Sequence, residues 1–316
     1  MKLSVVLAVS VQQEETRGIT INSGLEMAQD ITIKTADDCI GCGRCAQVCP
    51  SGIISFEKGK GVSFAGVSSC IACGHCVAAC PVGAMEHSLF PAEKVHKIDY
   101  AQMPSPEQVM LLCKARRTNR AFSKDPVPQE YMDMILEAAH RAPTASNMQN
   151  VEFTVVTSPE KLRQIQLFTI EVFESMVKKL ENPLLKPILK RVLGPSVYRY
   201  VPIFRKMKGD FEQGADRILR GAASAIFIHT PKSSKFGDAD ANLAYQNASL
   251  MAESLGVSQL YTGFVCNAIR QKKGELEKIL GIDPSREIKA GMGLGMPQFR
   301  FPNYIDKKEL KFTEVK

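Results

Sequence analysis

The chain has 316 residues, of which 45% are apolar and 23% charged, and its mean hydropathy is −0.08. These values are ordinary for a globular protein of one or two domains and exclude a collagen-like or wholly disordered chain. The 40 basic and 33 acidic residues leave a net charge of +7, a modest excess, and we expect no nucleic-acid partner.

Residues 1–30 begin with a short apolar run, residues 3–11, that follows Lys2. The run is short for a secretory signal and lacks a clear cleavage site, so we expect residues 1–30 to be a strand or a disordered leader. No stretch of the sequence has the ~20 apolar residues that a membrane-spanning helix needs, and we expect no membrane partner.

Eight of the ten cysteines form two copies of one spacing, C-x2-C-x2-C-x3-C-P, between residues 39 and 81. This spacing is typical of iron–sulfur ligands, and in the duplicated arrangement the fourth cysteine of each run binds the other cluster. The sequence therefore predicts two 4Fe–4S clusters. The first is expected at Cys39, Cys42, Cys45 and Cys80, and the second at Cys70, Cys73, Cys76 and Cys49.

Zinc is the alternative to iron, because paired C-x2-C elements also form zinc sites, although zinc requires neither the third cysteine nor the proline. The stretch from Asp37 to Phe90 resembles a two-cluster bacterial-type ferredoxin domain, to which we assign residues 31–92. Oxygen-sensitive clusters and free thiolates imply a reducing compartment, so we expect a cytoplasmic protein. His75 is expected to be a bystander, although an imidazole between two ligands could tune a cluster.

After a proline-containing linker, residues 93–105, the sequence predicts a second domain over residues 106–316. Ser105-Pro106 is a typical helix start, and residues 128–142 have apolar side chains at helical spacing. The remaining periodicity predicts strands at 151–157, 225–229, 259–261 and 287–294, and helices beginning at 159, 239 and 274. Such alternation favours a layered α/β or α+β domain.

Three motifs of this domain contain residue types that suit a phosphate or a flat ring. Arg116, Arg117, Thr118 and Arg120 carry guanidinium forks and a hydroxyl. Taken alone, such a basic cluster is more often a solvated face. Residues 143–149 are a loop of small residues and amides, and Thr262-Gly263 follows a strand. Residues 291–295 have glycine at every second position, which without a preceding strand and following helix predicts a strand and turn rather than a dinucleotide loop.

The order and spacing of these motifs, with Asp240, Ala244 and Asn247 on a helix and Leu-Gly-Met-Pro at 294–297, resemble the nitroreductase family of flavoproteins. The resemblance covers residues 106–316. It implies an α+β fold in which a small ferredoxin-like domain precedes a three-layer FMN domain, and a homodimer with FMN at its interface.

The resemblance also implies a role for each matching residue. Those expected at the FMN phosphate and ribityl chain are Arg116, Arg117, Thr118, Arg120 and Arg300. Those expected at the isoalloxazine ring are Pro143, Thr144, Ala145 and Asn147, with the backbone N–H of Gly263 directed toward flavin N5. No side chain is assigned as a catalytic acid or base, because the flavin carries the chemistry. Asn150-Val151 and Thr262 depart from the family pattern, so substrate preference does not carry over.

The segment 171–216 is longer than a minimal family member needs. Between residues 182 and 209 it has seven basic residues and no acidic one. It can be an inserted lid over the flavin, a docking face for an acidic electron donor, or an ordinary helical hairpin. Cys113 and Cys266 are expected to be packed in the interior, and structural roles are expected for the remaining histidines, His87, His96, His140 and His229.

The sequence thus predicts an oxidoreductase that passes electrons from its clusters to FMN and on to a small nitro compound, quinone or activated alkene. The expected electron donor is a low-potential ferredoxin or NAD(P)H, and the fusion to clusters favours the former. Two alternatives stay open. One is a redox sensor or electron-carrier module with slow turnover, and the other is a specialised flavin reaction such as reductive dehalogenation.

Overall fold

The computed structural model describes residues 31–316, and the predictions for residues 1–30 lie outside that range. The cysteine-rich segment, residues 31–92, is built on two small antiparallel sheets and two single-turn helices. Strand β1 pairs with β4, and β2 pairs with β3. The elements are β1 Ile33–Thr35, α1 Arg44–Gln47, β2 Ile54–Glu57, β3 Gly61–Phe64, α2 His75–Ala78 and β4 Met85–His87.

Each short helix of this segment directly follows a left-handed glycine. Gly43 precedes α1 with φ 70°, and Gly74 precedes α2 with φ 69°. A side chain at either position would have to adopt a strained backbone and would also approach an aromatic ring, Phe56 for Gly43 and Phe90 for Gly74. The glycines therefore let the chain turn sharply within each cysteine run.

The C-terminal segment, residues 106–316, is organised around one four-stranded antiparallel sheet with strand order β5-β6-β8-β7. Its strands are β5 Glu152–Val156, β6 Ser224–Pro231, β7 Ser258–Tyr261 and β8 Arg286–Gly295. Its helices are α3 Pro106–Ala115, α4 Gln129–His140, α5 Pro159–Glu181, α6 Lys186–Leu193, α7 Val201–Glu212, α8 Gly237–Leu255, α9 Gly263–Gln271 and α10 Glu275–Leu280.

Helices cover both faces of this sheet, and β6 is therefore buried on both sides. Ile226 and Ile228 pack with α4 and α8, whereas Ala225 and Phe227 pack with α5, α7 and α9. This alternation follows from the two-residue period of a strand. The α+β class and the three-layer arrangement predicted from the sequence are confirmed.

The alternating glycines at 291–295 belong to β8 and are therefore not a dinucleotide loop. They form a row on one face of the strand, where a Cβ on Gly291 would approach Phe227, one on Gly293 would approach Leu260, and one on Gly295 would approach Phe122. The missing side chains give room for larger neighbours to pack against the sheet.

Ser105 begins α3 with a reciprocal capping box to Gln108, as the Ser-Pro start predicted. The prediction that Cys113 is packed is wrong, because α3 has no buried residue and Cys113 is exposed. Cys266, on α9, is buried as expected. None of the helices described in residues 31–316 combines the length and the apolar character that crossing a membrane requires.

Candidate functional site

A cavity of about 610 Å³ lies beside the end of β7 and the start of α9. Its lining residues divide into a polar, strongly basic set, which we call the polar or basic wall, and an apolar, aromatic set, which we call the apolar wall. The polar wall includes Thr118, Arg120, Arg217 and Arg220. The apolar wall includes Tyr200, Phe204, Leu260, Tyr261 and Phe264. A cavity of this size with one cationic wall suits a drug-sized anionic ligand that has a flat apolar part.

The loop that supplies Arg217 and Arg220 is held by one carboxylate. Asp216 accepts hydrogen bonds from the backbone N–H groups of Ile218, Leu219 and Gly221, at 2.8, 2.9 and 2.8 Å. These bonds fix a turn in which Arg220 has a positive φ of 60°. Neither arginine is among the site residues predicted from the sequence. The available signal was a basic pair directly before a buried strand.

The guanidinium groups of this wall repel one another. Burial lowers the pKa of Arg220, and the charges of Arg217 and Arg120 lower it further, against the opposing charge of Asp216. Arg217 is also paired with Asp210 at 3.0 Å. A bound phosphate would relieve this repulsion and accept bidentate hydrogen bonds from the forks.

The segment that contains Thr118 is held against the edge of β7. Asn119 is buried, and its backbone N–H donates to Gln259 O at 3.0 Å. Its side chain donates to Phe299 O at 3.1 Å and accepts from the N–H of Ala121 at 2.9 Å. These contacts set the direction in which Thr118 and Arg120 leave the backbone. Both line the cavity, and their assignment to the FMN phosphate stays a prediction.

Arg116, Arg117 and Arg300 lie elsewhere, near the C-terminal end of α8. Burial raises the pKa of Glu253 on that helix, against the backbone N–H of Arg117 and the charges of Arg116 and Arg300. The guanidinium of Arg300 also occupies the space that a side chain at Gly256 would need. None of these three arginines lines the cavity. Their assignment to a phosphate stays a prediction.

Gly263 is the first residue of α9 and lines the cavity beside Phe264. The first N–H groups of a helix have no intrahelical acceptor, and the helix dipole gives them a partial positive charge. A Cβ at Gly263 would have only a ring atom of Tyr261 within 4 Å, at 3.8 Å. The backbone here is therefore open to the cavity and can approach a flat ring closely.

The loop at residues 143–149, which we call the ring loop, lies apart from this cavity. It joins α4 to β5, the opposite edge strand from β7. The N–H of Ala145 donates to the buried carboxylate of Asp240 at 3.1 Å, and Thr144 Oγ1 accepts from Gln149 N–H at 2.9 Å. Pro143, Thr144, Ala145 and Asn147 are thus not brought together with Gly263 within one chain.

The ring loop instead contacts the cysteine-rich segment. The side-chain amide of Asn147 donates to the carbonyl of Ala72 at 2.8 Å and to that of Ile71 at 3.3 Å. Both carbonyls lie between Cys70 and Cys73 in the second cysteine run. Asn147 and Ala72 each have a positive φ, 54° and 51°. A residue that the sequence assigns to FMN therefore contacts the backbone between two predicted cluster ligands, which the sequence could not predict.

The cysteines of the first predicted ligand set line one small cavity. Its lining includes Cys39, Cys42, Cys45 and Cys80, so the fourth member comes from the other run. In the second set, the charges of Cys73 and Cys70 contribute to the raised pKa of Cys76. Cys49 packs in the same small apolar core as Cys70 and Cys76. All ten cysteines are free thiols.

Burial is the main cause that raises the pKa of Cys76, to about 11, and it also raises the pKa of Cys45. Nearby backbone N–H groups act in the opposite direction. These thiols would release their protons on binding iron, because only thiolates are metal ligands. Within residues 31–316, no group of three or more His, Cys, Asp or Glu side chains is arranged so that it could hold a single metal ion.

His87, not His75, contacts a cysteine sulfur. Its Nε2 lies 3.6 Å from Cys70 Sγ, and the ring is buried and packs against Phe90. Burial lowers the pKa of His87. His75 is exposed at the start of α2. His87 lies outside the cysteine runs, 17 positions after Cys70, so the sequence gives no sign of this contact.

Residues 113–296 match the model of the nitroreductase family, and residues 31–81 match that of a 4Fe-4S dicluster domain. An NADH dehydrogenase of Thermus thermophilus is 30% identical over 58% of this chain and 83% of its own length. An NADPH-dependent oxidoreductase of Staphylococcus saprophyticus is 24% identical over 66% of this chain and 72% of its own length.

Solved structures with a similar fold include two nitroreductases with bound FMN. The one from Bacteroides fragilis covers 66% of this chain and 99% of its own, with 19% identity and a TM-score of 0.47. The one from Desulfitobacterium hafniense covers 65% and 97%, with 20% identity and a TM-score of 0.49.

The two matches define a class of oxidoreductase in which a nitroreductase domain follows an iron–sulfur domain. The family match extends over more than half of the chain. The protein therefore belongs to the nitroreductase family and carries an N-terminal 4Fe-4S dicluster domain, as the sequence resemblance predicted.

Proposed function

We propose that this protein passes electrons from two 4Fe–4S clusters to an FMN, and from the FMN to a small oxidised acceptor such as a nitro compound, a quinone or an activated alkene. The observation that carries this proposal is the hydrogen bond from Asn147 to Ala72 O, 2.8 Å long. It joins the backbone between two cluster ligands to the ring loop. No diffusing carrier is then needed between the two modules.

The basic cavity supports FMN as the ligand of the C-terminal segment. Thr118, Arg120 and Arg220 supply a hydroxyl and guanidinium forks that suit its phosphate. Gly263 presents an open backbone at a helix start, which suits the edge of the ring. When bound, FMN supplies a carrier that takes up and releases electrons singly or in pairs.

The thiols support two clusters in the cysteine-rich segment. We assign the first to Cys39, Cys42, Cys45 and Cys80 because they share one cavity. We assign the second to Cys70, Cys73, Cys76 and Cys49 from the duplicated spacing, in which the fourth cysteine of each run binds the other cluster. Anaerobically purified protein should contain about eight irons and as many sulfides per chain. Zinc in place of iron would overturn this part of the proposal.

A homodimer is needed to complete the flavin site. The ring loop precedes β5 at one edge of the sheet, and Gly263 follows β7 at the other edge, three strand spacings or about 14 Å away. A second copy can bring its own ring loop to this cavity. Apolar side chains on α3 and in the C-terminal tail, including Met110, Phe301 and Ile305, are exposed in the single chain. Exposed apolar side chains of this kind support the proposal that a second copy covers this surface.

Mixed dimers test the shared site. One chain carries R120A and R220A in the basic wall, and the other carries T144A and A145D in the ring loop, with each pure dimer expected to lose FMN. A mixed dimer contains one site with two defective halves and one with two intact halves. We expect it to regain one FMN per dimer. Mixed dimers that bind no FMN would show that each chain builds its site alone.

The contact between the modules is tested by N147D. Aspartate keeps the size of asparagine and tolerates its positive φ, but it presents an acceptor to two carbonyl oxygens. We expect slower FMN reduction after rapid mixing with a one-electron reductant, at unchanged iron and FMN content. The matched control is M148A, since Met148 is the exposed neighbour of Asn147. Equal rates of FMN reduction in N147D and wild type would show that electrons do not pass through the contact between Asn147 and Ala72.

The donor is distinguished by the same rapid-mixing experiment. We propose a low-potential ferredoxin as the donor to the clusters, and a cytoplasmic location whose reducing conditions protect the thiolates and clusters from oxidation. A chain with C70S and C73S should lose reduction by ferredoxin. Rapid NADPH reduction of this cluster variant, with full turnover of a nitroaromatic, would instead assign NADPH as the donor. Fast reduction with negligible reoxidation by nitroaromatics and quinones would indicate a sensor.

A further inference from the structure

The ring of His87 is fixed in one neutral tautomer by its neighbours. The backbone N–H of Leu89 donates to Nδ1 at 3.1 Å, so Nδ1 is the acceptor nitrogen. The ring proton of the neutral imidazole is then on Nε2, which lies 3.6 Å from Cys70 Sγ. The ring also packs against Phe90, at a centroid distance of 4.8 Å and an interplanar angle of 55°, which supports this orientation. His87 therefore directs an N–H at a predicted cluster ligand.

The sulfur of Cys70 receives a second N–H as well. The backbone N–H of Ala72 donates to Cys70 Sγ at 3.4 Å, from a residue whose φ is positive. Hydrogen bonds to a ligand sulfur stabilise the more negative, reduced state of an iron–sulfur cluster and raise its reduction potential. Two such donors act on the second ligand set.

The first cysteine run has no counterpart of His87. His87 follows Cys80 by seven residues, and the residue seven after Cys49 is Phe56. Phe56 lies against Gly41 and Gly43 in the first run and has no polar hydrogen to donate. The two runs share their cysteine spacing but differ at this position, so the two clusters would have different surroundings.

We propose that His87 is a positioning residue that raises the reduction potential of the cluster held by Cys70 above that of the cluster held by Cys39. This inference rests on the proposed function, in which both clusters are present. The electron then resides on the cluster whose ligand loop touches Asn147. One electron leaves the first cluster as one arrives at the second, the external ferredoxin replaces it, and no bond or proton changes place.

The test is a redox titration of the anaerobic holoprotein with dithionite, followed by electron paramagnetic resonance. H87F removes the N–H donor and keeps an aromatic ring against Phe90. H87Q keeps an N–H donor of similar reach. H75F is the matched control, because His75 is exposed between two ligands and contacts no described sulfur.

We expect H87F to shift one of the two cluster potentials to a more negative value and to leave the other unchanged. H87Q should restore most of the wild-type value, and H75F should match wild type. If H87F loses iron, H87N replaces it, because the shorter amide does not reach the sulfur. Unchanged potentials in H87F, or equal shifts of both clusters, would overturn the inference. Wild-type protein without two clusters would instead reject the proposed function itself.

Discussion

Acid should weaken the C-terminal segment through one buried histidine, His229. Its Nδ1 accepts a hydrogen bond from Arg286 Nε at 2.9 Å, and its Nε2 lies 3.0 Å from Thr154 Oγ1. A carboxylate oxygen of Glu152 is 3.9 Å from Nδ1, but the other oxygen is paired with Arg286 at 3.0 Å. Burial, and then the charge of Arg286, lower the pKa of His229 from 6.5 to about 4.

The sign of the effect follows from proton binding by the two states. The unfolded chain protonates this histidine as the pH falls through 6.5, whereas the folded chain stays neutral until the pH approaches 4. The unfolded state therefore binds more protons in this window, and stability falls with acidification. Between pH 7.5 and 5.5 the loss is about 1.3 kcal/mol, and by pH 4 it reaches about 3 kcal/mol.

Urea unfolding of the holoprotein at pH 7.5 and 5.5, followed by far-UV circular dichroism, measures this loss. H229Q removes the titrating group, so its stability should fall by about 1.3 kcal/mol less than that of wild type between the two values. H140Q is the control, because His140 is exposed and should leave the wild-type dependence intact. The same pH dependence in wild type and H229Q would refute the reasoning.

Three further substitutions test the packing and the basic wall. G291A should destabilise by about 1–3 kcal/mol in thermal unfolding, because its Cβ would collide with Thr262 Oγ1 and press on Phe227. G209A should instead raise the free energy of unfolding by about 0.5–1 kcal/mol, because Gly209 lies in α7 and a Cβ there would have no atom within 4 Å. A lower stability of G209A would show that this position cannot accommodate a side chain. R220A should weaken FMN binding roughly tenfold or more, measured by equilibrium dialysis, because it removes a hydrogen-bond donor to the phosphate. It should not destabilise the apoprotein, because it also removes repulsion between Arg220 and its neighbours Arg217 and Arg120. Unchanged FMN affinity would show that the phosphate binds elsewhere.

Local patterns determined most of the elements. Ser105-Pro106 and Ser158-Pro159 start helices where predicted. The serine oxygen accepts a hydrogen bond from a free backbone N–H of the first turn, and proline has no N–H that would need an acceptor. Gly256 ends α8 in the left-handed conformation. The buried strand over 224–231 followed from a run of apolar, β-branched residues. Each signal acts over a few neighbouring residues, so it can be recognised in sequence.

Long-range placement was not predictable in the same way. The cavity joins Thr118, Arg120 and Arg220, which are up to about a hundred positions apart, and the carboxylate of Asp216 decides where Arg220 points. Arg116 and Arg300 lie near Glu253 and do not line this cavity, and their assignment to the phosphate stays a prediction. Residue type identified all of these candidates, whereas only chain packing shows which of them share a cavity.

The sequence by itself determined the two cofactor classes, because cysteine spacing and family motifs are properties of the chain in order. Only the tertiary structure decided which loops meet. Asn147 reaches the carbonyl of Ala72, 75 positions earlier, and His87 reaches Cys70, 17 positions earlier. Such contacts depend on strand pairing and on how separate elements pack, and no local pattern encodes the direction in which a distant side chain will point.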